Sequence, residues 1–223
     1  MARKKKVTLT TRVQHAEIVR EYGPFPNASR VNGVSFDGTH VWFATGDALR
    51  AFDPASGQTV RAIDVASHAG TAFDGRFFYQ LADDRIQKID HATGTVVSTL
   101  PAPGKGYDAG LTWAEGTLWV GQHRSRQILQ IDPETGTVLR TIESNRFVTG
   151  VTWVDGELWH ATWEGDESEI RQVDPKTGKV LTRLSMPDGA GVSGLESDGV
   201  VLFYAGGGSS GKVRAVRRPN RVR

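Results

Sequence analysis

The sequence contains no cysteine, which excludes a disulfide-stapled scaffold and any thiolate nucleophile or thiolate metal site. It has no apolar run approaching the roughly 20 residues that a membrane-spanning helix requires. Its opening MARKKK carries the charge of a secretory leader, but the VTLTTRVQ that follows supplies no apolar core for one. A soluble, cytoplasmic, monomeric protein without membrane contact is the expectation. A strong charge of one sign is also missing. The net charge is only +2, and the basic excess sits in Lys4 to Lys6 at one end and Arg214, Arg217, Arg218, Arg221 and Arg223 at the other. Runs this short read as solvated tails, so nucleic acid is expected to be engaged only through them. Three chemical signatures are absent as well: a nucleophile elbow, a phosphate loop and HExxH. The Gly206 to Gly211 run lacks the lysine of a phosphate loop and reads as a flexible connection between strands.

What the chain has in quantity is punctuation and repetition. Its 223 residues include 26 glycines and 9 prolines, with 38% hydrophobic and 23% charged residues, the composition of a turn-rich globular domain. The stretch TGVTWVDGELWHATW (149–163) has copies at AGLTWAEGTLWVGQH (109–123), AGTAFDGRFFYQLAD (69–83) and NGVSFDGTHVWFATG (32–46), with a fainter SGLESDGVVLFYAGG (193–207). The repeated glycine falls at Gly33, Gly70, Gly110, Gly150 and Gly194, so the period is 37 to 44 residues. Within each unit an alternating strand turns at an acidic-Gly pair into a second strand. A third strand ends in DPASG, DHATG, DPETG or DPKTG, where Asp and Pro open a turn and Gly accepts positive φ. A fourth strand follows, as in Val138 to Ile142.

Five units of four short strands define an all-β, five-bladed propeller. The fifth unit stops after its third strand, and the missing strand is found in Glu17 to Tyr22. That strand is expected to complete the last blade and close the ring, within a single domain at 15–219 flanked by basic tails at 1–14 and 220–223.

Repetition also separates scaffold from candidate function. Phe36, Phe73, Trp113 and Trp153 share one position, and Trp42, Tyr79, Trp119, Trp159 and Phe203 share another, as core between blades. Function is sought where the copies differ, on the mouth formed by the loops that join the second to the third strand and one blade to the next. The residues expected there are Arg30, Asn32, His68, Tyr107, Asp108 and Thr149, together with Gln80, Asp83, Gln122, His123, Arg124, His160, Trp163, Glu164 and Tyr204. His123 or His160 could accept a proton, with Asp108 or Glu164 orienting the imidazole. Arg30, Asn32, His68, Gln80, Tyr107, Gln122, Arg124, Trp163 and Tyr204 would line a site for a small polar molecule. No cofactor is called for. His68, His123, His160 and Asp108 offer a donor set for a divalent metal, without the short spacing that would mark one.

The five-unit layout, the G(L/V)xW…DG…LW units and the (I/V)DPxTGxV turns resemble the plant- and bacterial-type glutaminyl cyclases over Asn32 to Arg214. These are five-bladed propellers that convert N-terminal Gln to pyroglutamate. VTWVDGELWHATW is similar to that family's LEWVDGEVYANVW, which implies a pocket role for Trp163, and Tyr79-Gln80-Leu81 resembles its LYQLTW. Three positions depart from the pattern. Asn32 replaces the family's Gln, Phe43 its proton-carrying Glu and Gly207 its last-blade Lys. Ordinary glutaminyl cyclase activity is therefore not expected. The resemblance points to an acid/base enzyme on this scaffold, performing a cyclisation, elimination or hydrolysis. The alternative is a non-catalytic ligand- or macromolecule-binding propeller.

Overall fold

The computed structural model describes residues 11–220, which fold into strands joined by turns and loops. Two strands precede the first full blade: β1 (Arg12–His15) and β2 (Ile18–Tyr22). Blade 1 is β3 (Val34–Phe36), β4 (Val41–Ala44), β5 (Gly46–Phe52) and β6 (Thr59–Ser67). Blade 2 is β7 (Thr71–Phe73), β8 (Phe77–Ala82), β9 (Arg85–Asp90) and β10 (Val96–Pro101). Blade 3 is β11 (Asp108–Ala114), β12 (Thr117–Gln122), β13 (Gln127–Ile131) and β14 (Val138–Glu143). Blade 4 is β15 (Gly150–Val154), β16 (Glu157–Glu164), β17 (Glu167–Val173) and β18 (Val180–Ser185). Blade 5 takes β19 (Gly194–Ser197), β20 (Leu202–Gly206) and β21 (Val213–Arg217), and its fourth strand is β2. The antiparallel five-bladed ring expected from the repeats is the architecture observed.

Closure follows the expected route. Strand β2 pairs antiparallel with β21 from Ile18↔Val216 to Tyr22↔Val213, so the ladder edge left by the short fifth unit is filled. Charge reinforces the join: Glu21 accepts from Arg214 Nε and Lys212 Nζ, each at 2.8 Å, and Glu17 accepts from Arg217 Nε at 2.7 Å. Arg218 completes the set against Asp155 at 2.8 Å. Arg214, Arg217 and Arg218, expected in a solvated basic run, are thus committed to ion pairs within the fold. Lys4 to Lys6, Arg221 and Arg223 lie outside the described residues.

The amino-terminal boundary is corrected too. Arg12 to Gln14, expected in the tail, belong to β1, which lies parallel to β18 as a fifth strand of blade 4. The short RVQH segment carries no hydrophobic alternation to announce a strand. It forms because the outer edge of β18 offers unpaired backbone groups, and Thr11 Oγ1 adds a bond to the Val180 carbonyl at 3.0 Å.

Large rings fill the spaces between blades. Trp42, Tyr79, Trp119, Trp159 and Phe203 are all 2% exposed or less. Tyr79 stacks on Trp113 at 5.3 Å, Trp119 on Trp153 at 5.4 Å, and Trp159 tilts against Phe203 at 5.0 Å. Each contact crosses from one blade to the next and contributes about 0.5–1.5 kcal/mol beyond burial alone.

The centre is set by the repeated glycines. A Cβ on Gly33 would lie 2.3 Å from the Ala69 carbonyl oxygen, one on Gly70 2.4 Å from Leu111 N, and one on Gly110 2.8 Å from Gly150 C. On Gly150 it would lie 2.6 Å from Leu195 N, and on Gly194 2.6 Å from the Asn32 carbonyl oxygen. Each glycine therefore abuts the next blade, and the five form a continuous collar around the axis. Gly150→Ala should lower unfolding stability by about 1–3 kcal/mol or more, as overpacking does, a loss that denaturant melts measure. Deleting residues 1–24 should leave β21 unpaired and cause aggregation on size exclusion, and a stable, unaggregated truncated chain would overturn closure by β2.

Candidate functional site

The mouth face is built from the blade-to-blade loops and the loops following β4, β8, β12, β16 and β20. Its floor is the glycine collar, which brings five backbones into contact at the start of the inner strands. Neighbouring loops are tied together above it. Thr149 Oγ1 donates to the Val192 carbonyl at 2.5 Å, and Ser193 Oγ donates to the Val31 carbonyl at 2.5 Å. The Gly206 to Gly211 connection, expected to be flexible, is pinned by a bridge between Val31 and Gly208.

The expected site residues separate into groups. His68 and Asp83 meet as an exposed pair, Nδ1 to Oδ1 at 2.8 Å. Asp108 is buried and accepts from Gly104 N at 2.8 Å and Gln122 Nε2 at 3.1 Å. Burial pushes its carboxyl above the ordinary range, against the pull of those two donors. Tyr107 is 55% exposed, with the Arg124 guanidinium 5.1 Å above its ring. Arg30 is exposed, and Asn32 is half-buried with its backbone N–H bonded to the Ala44 carbonyl.

A second cluster joins blades 3 and 4. The His123 ring lies 4.4 Å from that of Phe147, whose other neighbour is the Arg126 guanidinium at 4.6 Å. Burial, and then Arg124, lower the His123 imidazole, while Glu164 acts in the other direction. Glu164 accepts from Phe147 N at 2.6 Å and pairs with Arg146 at 3.3 Å and Arg126 at 3.5 Å. Burial pushes its carboxyl up, but the Phe147 N–H and the two arginines outweigh that and hold it below the ordinary range. Trp163 is half-buried. Its Nε1 donates to the Gly165 carbonyl at 3.1 Å, and its ring lies so close to Gly191 and Gly208 that neither could carry a side chain.

Three expected mouth residues are not there. Gln80, His160 and Tyr204 sit in mid-strand, where the pleat sends side chains alternately toward the preceding and the following blade. Gln80 is fully buried, accepting from Thr71 Oγ1 at 2.6 Å and donating to the Ala69 and Leu81 carbonyls. Tyr204 packs with Tyr22 and Phe36 between blades 5 and 1. His160 is 1% exposed and faces blade 3; burial, aided by Arg171, lowers its imidazole to about 4. It is neutral near pH 7 and separated from the mouth groups. The proposed donor set of His68, His123, His160 and Asp108 is not assembled, and no cluster of three or more metal-ligating side chains occurs among the described residues.

Sequence reasoning missed Arg126, Arg146 and Phe147 at the mouth, and Glu196 on the axis. The inner-strand position two residues after each glycine reads Ser35, Ala72, Thr112, Thr152, Glu196. A carboxyl in a column of small residues was the available signal. Glu196 accepts from the Thr152 hydroxyl and from Ser197 N at 2.8 Å, and burial raises it to about 7 despite both bonds.

The geometry defines a five-bladed β-propeller with a glycine-collared axis and a polar rim. The family model described as PQQ_2, outer membrane protein assembly factor BamB, matches residues 82–220, more than half of the chain, and the chain belongs to that family. Among solved structures, Myxococcus xanthus glutaminyl cyclase is similar over 93% of this chain and 98% of that one, with a TM-score of 0.76 and 19% identity. A chain of the mitotic checkpoint complex is similar over 99% and 96% (TM-score 0.53, 12% identity). Kuenenia stuttgartiensis hydrazine synthase is similar over 81% of this chain and 56% of that one (TM-score 0.51, 15% identity). These likenesses are of fold. No curated protein matches in sequence. The departures from the cyclase pattern are structural as well: Phe43 is buried and stacked on Phe25 at 4.4 Å, and a Cβ on Gly207 would lie 2.3 Å from Ser210 Oγ.

Glu196 gives a pH signature. Burial raises its folded value from the ordinary 4.5 of a glutamate to about 7, so its contribution is fully present below pH 4.5 and is lost as pH rises through 7. The full loss is on the order of 3 kcal/mol. Glu196→Gln should therefore gain stability over the parent between pH 5 and pH 8, measured by urea melts at both; an unchanged difference would remove the assignment.

Proposed function

We propose that this propeller is a non-catalytic binding module whose mouth takes an acidic segment of a macromolecular partner. The observation that carries the reading is the contrast between the mouth's titratable groups and its exposed ones. Asp108 and Glu164 are each occupied by backbone and side-chain donors, which leaves neither free to pass a proton. Beside the exposed His68–Asp83 pair, what faces outward is cationic and aromatic: Tyr107 under Arg124, and Phe147 under Arg126, with Lys105 exposed on the loop beside them. Planar guanidiniums over rings, above a shallow floor, suit carboxylates and tyrosine side chains of a partner.

A second reading keeps an enzyme on the cyclase-like scaffold, with His123 as its acid/base group. It is favoured by one observation, the electrostatic pairing of His123 with Glu164 in the wall that also holds Trp163.

A fluorescently labelled peptide of alternating Glu and Tyr separates the two. Under the binding reading it associates in a salt-sensitive manner, and Arg124→Ala combined with Arg126→Ala weakens it about tenfold or more without changing the melting temperature. Binding that is indifferent to both substitutions would overturn this reading. Incubation with a peptide bearing N-terminal Gln should release no ammonia. Release abolished by His123→Ala would establish the second reading in its place.

A further inference from the structure

We propose that the crevice between blades 3 and 4, floored by His160, is a binding site for a small neutral molecule with an apolar body and one hydroxyl group. The repeat position that His160 occupies is satisfied in other blades by side chains of the same structure. Phe43 stacks on Phe25, Gln80 makes three hydrogen bonds, and Tyr204 packs among aromatic rings. His160 instead borders a cavity of about 360 Å³, walled by Ile128, Ile142, Val173 and Val180, with Ser144, Asn145 and Glu143, which accepts from Gln127 Nε2 at 2.8 Å, at its mouth-side end. That volume falls within the roughly 300–1,000 Å³ of small-molecule sites, and an apolar wall with a few polar groups, of which the imidazole at the floor is the buried one, is their usual chemistry.

The polar group is specific in what it will accept. His160 is 1% exposed, and its one hydrogen-bond contact is Nδ1 to the Ala161 carbonyl at 3.3 Å. A ring nitrogen facing a carbonyl must carry the proton, so Nε2 presents a lone pair. Among the described residues no protein donor bonds Nε2, so its lone pair is open to an incoming donor at the cavity floor. Charge narrows the choice. Burial keeps this imidazole neutral, so it offers an anion no counter-charge. Arg171, paired with His160 across the ladder, is taken by Glu169 at 2.6 Å and Asn145 at 2.7 Å, and its positive charge opposes a cation. A neutral O–H donor on an apolar frame remains.

Phenol is the probe. On titration of the full chain labelled with ¹³C and ¹⁵N, saturable shifts are expected in the His160 imidazole and the Ile128 and Ile142 methyls. Toluene, of similar shape without the hydroxyl, should bind roughly three- to tenfold more weakly, the range of one neutral hydrogen bond. His160→Phe removes the acceptor and fills the floor. Val180→Trp fills the wall and leaves His160 in place. Each should abolish the phenol response while thermal melting reports a folded chain. Absence of saturable shifts in the parent, toluene binding as tightly as phenol, or undiminished phenol binding in either folded variant would each overturn the site. None of these outcomes depends on Arg124 or Arg126, so the mouth reading stands or falls separately.

Discussion

Everything in this molecule is arranged around the contact of five glycines. Gly33, Gly70, Gly110, Gly150 and Gly194 each press against the backbone of the next blade at distances that leave no room for a Cβ. That approach fixes how near the inner strands come to the axis, and hence how wide the wedge between blades becomes further out. The wedge is then filled by side chains of graded size. Small residues stand two positions after the glycine in four blades, at Ser35, Ala72, Thr112 and Thr152, and rings such as Trp113 and Trp153 at the next position stack on Tyr79 and Trp119 across the seams. A close-packed interior tolerates little variation in this gradation. The repeat is thus a geometric requirement restated five times, and the loops are free to differ because they lie outside it.

That division explains what could be read in the residues alone. The blades were legible because the glycine, the acidic-Gly turn and the aromatic recur with the same internal spacing, and the closing strand was legible as the piece that the fifth copy lacks. Positions on the mouth were legible only in loops and at strand ends, as with His123, Arg124, Glu164 and Trp163. His160 was misplaced because difference between copies marks a position as special without saying which way it points. In a propeller both faces of a strand look at a neighbouring blade, so a mid-strand residue faces a seam. Phe147 and Arg146 escaped notice because the sequence of the loop that carries them does not match the corresponding blade-to-blade loops of the other copies. Strand β1 escaped because its pairing is a property of the β18 edge rather than of RVQH.

The charges divide along the same line. Those of the rim are spent on one another: Glu164 with Arg146 and Arg126, His68 with Asp83. Partly exposed pairs like these contribute little to stability, and their effect is to set the shape and sign of that face. In the interior, desolvation governs instead. It raises Glu196 and lowers His160, so each is held near neutrality by its surroundings.

The closing strand carries a consequence for how the protein is made. Glu21 of β2 and Lys212 beside β21 bond to each other across 191 positions of the chain. At the roughly 5–20 residues per second of synthesis, that separation corresponds to about 10–40 s during which β2 has left the ribosome and its partner does not yet exist. Blades 1 to 3 complete their sheets from consecutive strands and can form in order, as can the four consecutive strands of blade 4, to which β1 adds at the outer edge. The ring itself cannot close until the last inner strands are present, and the entropy of bringing the distant ends together must be met at that moment. Assembly is therefore vectorial for four blades and concerted for the fifth, with the sheet edge of β2 open to competing partners for the whole interval.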